Sequence, residues 1–360
     1  MTPRNDPQNK TTDSTKETPA KILVVGSMNM DYVLQTERLP HKGETLPAKN
    51  FSVVFGGKGM NQSVAIKRLG GESLMIGCLG KDSDGDSLLQ GLEKEGLSPQ
   101  WIDRSQSVNT GIAFITVSDQ GDNTIVVHPG SNHALSVDWV QRAIQEHQDA
   151  TMLVLQMEIP LEVITSTIEA AYAYGIPVVL NPSPYKEIPR KTLEKVHTLV
   201  VNEVEAEQVA ASLGYIKESE VHGTEDPQAI VALLAKSKIP QIILTKGDQG
   251  VYYNEPPKAR DHPNKSYADA DTYADTEAVT ASTESEIPVC HQEAKSVSVV
   301  DPTAAGDSFL GAYVAGRCRG YSLDKAIAYG ILAGALAVTK AGAQPSIPSA
   351  EDMKTAGWVE

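Results

Sequence analysis

Short, largely apolar runs recur along the chain, at 21–25, 74–79, 152–157, 176–180, 199–201 and 242–244. Several are rich in Val and Ile, and the first ends abruptly at Gly26. Such runs are what strands covered on both faces look like. Helical patterns lie between several of them, notably over 161–174 and 228–235. Strands alternating with helices predict crossover units on a mostly parallel sheet, an α/β fold with helices flanking the sheet in three layers.

Two regions depart from that rhythm. Residues 31–55 and 108–128 alternate apolar with polar positions, as in Gly111-Ile112-Ala113-Phe114-Ile115-Thr116-Val117 and Thr124-Ile125-Val126-Val127. Strands with one wet face are expected to project from the main sheet. The pattern allows either an edge hairpin or a small β-sheet lid over a site. Near the C-terminus, Leu323, Ala326, Ile327, Gly330, Ile331, Gly334, Ala335 and Val338 keep helical spacing for over four turns. Their small side chains predict close approach of another backbone.

Two segments read as tails rather than core. Residues 1–20 are polar and charged, and 255–286 carry Pro256-Pro257 and a run of acids from Asp269 to Glu286. Neither holds enough apolar surface to order itself, so a disordered tail and a flexible acidic insertion are expected. The ordered domain is expected over 21–350.

Composition narrows the function classes. The formal net charge is −15, which leaves no basic face for a nucleic acid. Small phosphorylated ligands stay open, because backbone amides and bound cations can hold them. Cys78, Cys290 and Cys318 form no close pair, against both a disulfide framework and a Cys-rich zinc site. Cys78 lies in an apolar run and reads as core. No stretch reaches the ~18 apolar residues of a membrane span, and the N-terminus lacks the apolar centre of a secretory signal. The expectation is a protein of the cytosol, without a membrane partner.

The strongest chemical signal is Asp301-Pro302-Thr303-Ala304-Ala305-Gly306-Asp307-Ser308-Phe309 ahead of an apolar helical stretch. Val297, Val299 and Val300 precede it, so it reads as strand, small-residue turn, helix. Ala304, Ala305 and Gly306 leave backbone N–H groups free to face an anion at a helix N-terminus. Asp307 then stands where a carboxylate could take a proton from an attacking hydroxyl, although an isolated Asp there could simply cap the helix. Upstream, Phe55-Gly56-Gly57-Lys58-Gly59-Met60-Asn61 precedes a helix expected to bury Val64 and Ala65. Its glycines let a ligand approach the backbone, and Lys58 and Asn61 offer donors. It matches neither the dinucleotide Gly-x-Gly-x-x-Gly nor the phosphate-loop Gly-x-x-x-x-Gly-Lys-Ser/Thr.

With both elements present in this order, the sequence resembles the ribokinase-like carbohydrate kinase (PfkB) family from about Lys21 to Ser349, interrupted by the acidic insertion. The resemblance implies a kinase that phosphorylates D-ribose at O5 with ATP, Mg²⁺ and an activating K⁺, and a homodimer formed through the lid sheets. Asp307 is implied as general base, beside an anion hole formed by the backbone amides of Ala304, Ala305, Gly306 and Asp307. Asn29, Asp31, Gly57, Lys58, Asn61 and Glu158 are implied in sugar binding. Asn202 and Glu205 match the family's Asn-x-x-Glu, associated with organising Mg²⁺ and phosphate, though that pattern also caps helices. Thr245, Lys246, Gly247 and Gly250 resemble its nucleotide loop, where a plain hairpin turn is the alternative. Asp301 and Ser346, with the carbonyls of Thr303, Ala337, Lys340 and Gly342, are implied around K⁺. Met60 stands where Ala is usual, and Pro302 where Thr is usual. Another small sugar or a nucleoside remains open as acceptor, as does a silent sugar-binding regulator.

Overall fold

A computed structural model of the chain describes residues 21–221, 226–255 and 287–359. The expected polar tail at 1–20 and all of the acidic insertion except Glu255 lie outside the described residues.

Among the described residues thirteen strands form two sheets. In chain order they are β1 Lys21–Val25, β2 Asn29–Thr36, β3 Asn50–Gly56, β4 Glu72–Gly80, β5 Ile102–Ser105, β6 Gly111–Ser118 and β7 Asn123–His128. There follow β8 Met152–Leu155, β9 Val178–Leu180, β10 Thr198–Val201, β11 Gln241–Thr245, β12 Val251–Asn254 and β13 Val289–Gln292. The large sheet runs β13-β12-β11-β10-β9-β8-β1-β4-β5. From β11 to β5 every pairing is parallel, and the antiparallel pairs β11–β12 and β12–β13 finish one edge.

The apolar runs follow from burial on both faces. In β1, Leu23 and Val25 join one apolar cluster while Ile22 and Val24 join another on the opposite face. Neither face is wet, so no polar alternation survives. The Leu161–Ala173 and Pro227–Leu234 helices form within a residue or so of the expected spans. Val64, Ala65 and Cys78 are buried as read. Among the described residues no helix is long and apolar enough to cross a membrane.

The alternating regions build a separate sheet, β3-β2-β6-β7, rather than an edge hairpin. Here β2 pairs parallel with β6 and antiparallel with β3, and β7 closes the other side. Only three residues separate β1 from β2, so the small sheet rises directly from the carboxyl end of a central strand.

One expected element is absent. Residues 297–300 form no strand, and Val299 and Val300 are 66% and 62% exposed. Their backbone instead ties to a loop, with Val300 N–H donating to the Val338 carbonyl at 2.7 Å. The apolar positions there carry no sheet partner, so their pattern misled. The small-residue helix spans Leu323–Ala337 and packs heavily on the Ala305–Cys318 helix. Gly330 explains how: a Cβ there would lie 2.7 Å from the Phe309 ring.

Candidate active site

In an open parallel sheet, ligands bind beyond the carboxyl ends of the strands, where the chain switches direction across the sheet. Here β1 is followed outward by β4 on one side and by β8 on the other, which puts the switch between β1 and β8. Ser27 follows β1 and Glu158 follows β8, and the Ser27 hydroxyl donates a short hydrogen bond to Glu158 Oε2. The same oxygen accepts the Lys58 backbone N–H at 3.0 Å. Glu158 therefore pins the start of the Lys58–Arg68 helix to the switch point.

That helix sits very close to β1. A Cβ on Gly59 would lie 2.6 Å from backbone atoms of Gly26 and Ser27. Gly57 has φ +86, and a Cβ on it would meet the Asn29 backbone N at 2.8 Å. Only glycine tolerates both conditions. The motif glycines thus serve the packing of chain on chain as well as any ligand.

The approach brings three polar residues of the helix into the interior. Asn61 is 5% exposed, and Gln62 and Ser63 are fully buried. Asn61 Nδ2 donates to Asp307 Oδ2 at 3.0 Å, and Gln62 Nε2 donates to Asp307 Oδ1 at 2.9 Å. Asp307 is itself buried and lies in the first turn of the Ala305–Cys318 helix. The cap of that helix is Ala304 in a left-handed conformation (φ 61), not Asp307. The capping alternative for Asp307 therefore falls away. Asn61, expected on the sugar, has its amide N–H on Asp307.

The amides of the turn are unequally free. Gly306 and Asp307 donate to no backbone carbonyl, as the first turn of a helix leaves them. Ala305 N–H is engaged at 3.3 Å with the Pro302 carbonyl. Of the four amides of the expected anion hole, those of Ala304, Gly306 and Asp307 donate to no backbone carbonyl and that of Ala305 is loosely held.

A cavity of ≈ 210 Å³ runs along these groups, lined by Lys58, Asn181, Ser183, Val200, Val201, Asn202, Glu205, Thr245, Pro302 and residues 304–307. Burial works against the charge of Lys58, yet the Asp307, Glu158 and Glu205 carboxylates hold its ammonium above the usual lysine value. Asn202 and Glu205 form a capping box on the Glu203–Ser212 helix: Glu205 N–H donates to Asn202 Oδ1 at 2.8 Å, and Asn202 N–H to Glu205 Oε2 at 3.1 Å. Asn202 and Glu205 thus cap this helix and also line the cavity. Thr245 ends β11. Lys246 and Gly247 follow in a turn outside the cavity wall, with Lys246 Nζ 3.3 Å from Glu203. Gly250 (φ +90) begins the return into β12.

On the sugar side, Asn29 opens β2 and its Oδ1 accepts from Asn132 Nδ2 at 2.7 Å. Asp31 is 7% exposed, and its Oδ1 has no hydrogen-bond partner. Burial, reinforced by the charge of Glu158, pushes its carboxyl up to about 7. Neither residue lines the cavity, and they stand instead at the root of the small sheet.

A third cluster joins two loops. Asp301 Oδ1 accepts from Thr303 N–H at 2.9 Å and Thr303 Oγ1 at 2.6 Å, while Oδ2 accepts Gly342 N–H at 2.8 Å. Ser346 is fully buried with its hydroxyl on the Ala343 carbonyl, and the Ala337 carbonyl accepts Lys340 N–H. The groups gathered there are carboxylate, carbonyl and hydroxyl oxygens, a donor set that suits a hard cation.

Comparison with known proteins gives the family. The model of the pfkB family carbohydrate kinases matches residues 19–350. The chain belongs to the pfkB family of carbohydrate kinases. This pfkB sugar kinase is similar to a ribokinase of Staphylococcus aureus, with 32% identity over 335 residues that cover 92% of this chain and 98% of that one. Its fold matches a Thermotoga maritima ribokinase at TM-score 0.75 and 28% identity, covering 93% and 98% of the two chains. An Arabidopsis thaliana ribokinase complexed with ribose and ATP matches at TM-score 0.73 and 25% identity, over 95% and 99%.

Sequence reasoning missed Ser27, Gln62, Asn132, Gln156 and Asn181. Gln62 carried one usable signal, since it directly follows the Gly-Gly-Lys-Gly-x-Asn pattern. Gln156 stood two residues before Glu158 but inside an apolar run, where it read as part of a strand.

Proposed function

We propose that this pfkB kinase transfers the γ-phosphoryl group of ATP to O5 of D-ribose. The observation that carries the reading is a buried carboxylate, Asp307, held by two amides beside the open N–H groups of Gly306 and Asp307 in one cavity. Asp307 accepts the proton of the ribose 5-hydroxyl as that oxygen forms its bond to phosphorus. The bond from the γ-phosphorus to the bridging oxygen breaks, and ADP leaves. The backbone of Ala304, Ala305, Gly306 and Asp307 receives the charge on the transferred group, with the loose Ala305–Pro302 contact yielding as it arrives. Positioning and electrostatics carry most of such a reaction.

Asn29, Asp31, Gly57, Lys58 and Glu158 hold the sugar, and Asn61 serves both sugar and Asp307. Asn202, Thr245, Lys246, Gly247 and Gly250 form the nucleotide side. Mg²⁺ would neutralise phosphate charge, with Glu205 acting on it through water. Asp301, Ser346 and the carbonyls of Thr303, Ala337, Lys340 and Gly342 would hold K⁺, tying the anion-hole loop to the loop after Ala337. The small sheet acts as a lid, excluding water from the transfer. Its Phe51, Val53, Phe114 and Val126 share one face and are each about half or more exposed, which supports a homodimer through the lids.

The test is ATP-dependent phosphorylation of D-ribose beside deoxyribose, fructose and adenosine, with Mg²⁺, with and without K⁺, for the parent and Asp307→Asn. Ribose preference, K⁺ activation and loss of turnover in the variant with ribose still bound are expected. Near-normal kcat in Asp307→Asn removes the base assignment, and preference for another acceptor replaces the substrate.

A further inference from the structure

Two glutamines with no assigned part in catalysis stand directly behind Asp307. Gln62 and Gln156 are both fully buried. Gln156 Nε2 donates to Gln62 Oε1 at 2.6 Å, and Gln62 Nε2 donates to Asp307 Oδ1 at 2.9 Å and reaches Asn181 Oδ1 at 3.4 Å. Asn181 is oriented in turn, since its own Nδ2 donates to the Val200 carbonyl at 3.0 Å. The partners come from the ends of β8, β9 and the Lys58–Arg68 helix, so the relay spans three elements.

The direction of every amide in this relay is determined. Both Asp307 oxygens accept from amides, so Gln62 presents its N–H₂ to Asp307. Its carbonyl then faces Gln156, which must donate in turn. The far end, Gln156 Oε1, is left buried without a partner beside Gly26. A buried amide oxygen without a hydrogen bond is unfavourable, because it has lost its water and gained no donor. The molecule tolerates it at the end of a chain whose other end grips the reacting carboxylate.

We propose that Gln62, oriented by Gln156, is a positioning residue that fixes the Asp307 carboxylate for proton acceptance. This rests on the general-base reading of Asp307 above. Gln62 does not itself line the cavity, so its effect passes through the lining residues it holds, Asp307 at 2.9 Å and more weakly Asn181 at 3.4 Å. Misplacement of a reacting group by about 1 Å lowers a rate on the order of 100-fold.

The test is a double-mutant cycle on kcat with D-ribose and ATP. Gln62→Met keeps the side-chain length and removes the donor. It is expected to lower kcat about 10- to 100-fold while shifting the KM of either substrate less than about threefold. In an Asp307→Asn background the same change is expected to have almost no further effect, because the group it acts through is already gone. Gln156→Met, one step removed, is expected to lower kcat less, again without moving KM. Should Gln62→Met not fold, Gln62→Glu keeps every heavy atom in place and sets two carboxylates face to face, with a larger kcat loss expected. A Gln62→Met kcat within threefold of the parent, or a full effect retained on the Asp307→Asn residual rate, overturns the relay and leaves the base assignment standing. A near-normal Asp307→Asn overturns the base assignment itself.

Discussion

Asp31→Asn removes one buried charge while leaving the shape of the side chain unchanged. Asp31 is 7% exposed and one of its oxygens has no partner, so the charged form is disfavoured and the carboxyl is raised from 3.8 to about 7. A raised acid binds its proton more tightly in the folded chain than in the unfolded one. Its contribution to stability is therefore fully present below about 3.8 and lost as pH rises through about 7. From pH 5 to pH 8 that loss is about 2–3 kcal/mol for a single group with these two values. The asparagine variant has no such group, so its stability should fall with pH by that much less than the parent's. Urea unfolding of the ligand-free protein at several pH values in that range measures both slopes. Other titrating groups cancel in the comparison. Parallel slopes within about 0.5 kcal/mol would show that Asp31 ionises as it does in water, and the burial argument would fail.

Three further outcomes are expected. Gly59→Ala forces a Cβ to 2.6 Å from backbone that cannot rotate away, so urea unfolding should show a loss of about 3 kcal/mol or more; a change under ~1 kcal/mol refutes the tight crossing. Ala304→Val puts a β-branched residue at φ 61 and should cost roughly 1–2 kcal/mol by thermal melting, whereas Ala304→Gly should be neutral or better. Asp301→Ala cuts the bond to Gly342, so the ratio of activities in K⁺ and in a bulky organic cation should collapse toward one; an unchanged ratio moves the cation site elsewhere.

How far the sequence alone reached depends on what burial does to a pattern. The central strands were legible because both of their faces are dry, which writes an unbroken apolar run into the chain. β5 was not legible: Ile102-Asp103-Arg104-Ser105 lies at an edge and is half-buried beyond its first residue. Residues 297–300 show the converse, apolar positions that read as a strand yet lie exposed with no sheet partner. The glycine-rich motif at 56–61 announced close backbone approach, and the small-residue turn at 304–306 an anion site. They did not say that Gly59 meets Gly26, or that the amides behind Asp307 come from another helix.

The sequence by itself determined the α/β layering, the two regions whose strands have one wet face, and the family signatures with Asp307 at their centre; that those strands form a separate sheet rather than an edge hairpin was decided by the tertiary structure. Tertiary structure alone decided that Asn61 and Gln62 grip Asp307 from 246 and 245 positions away, and that Asp31 is stripped of water. Local patterning records which side of an element is wet, since each residue's own hydration is at stake. Which polar groups meet in the dry interior depends instead on the order in which β8, β1 and β4 assemble, and that order is a property of the whole sheet.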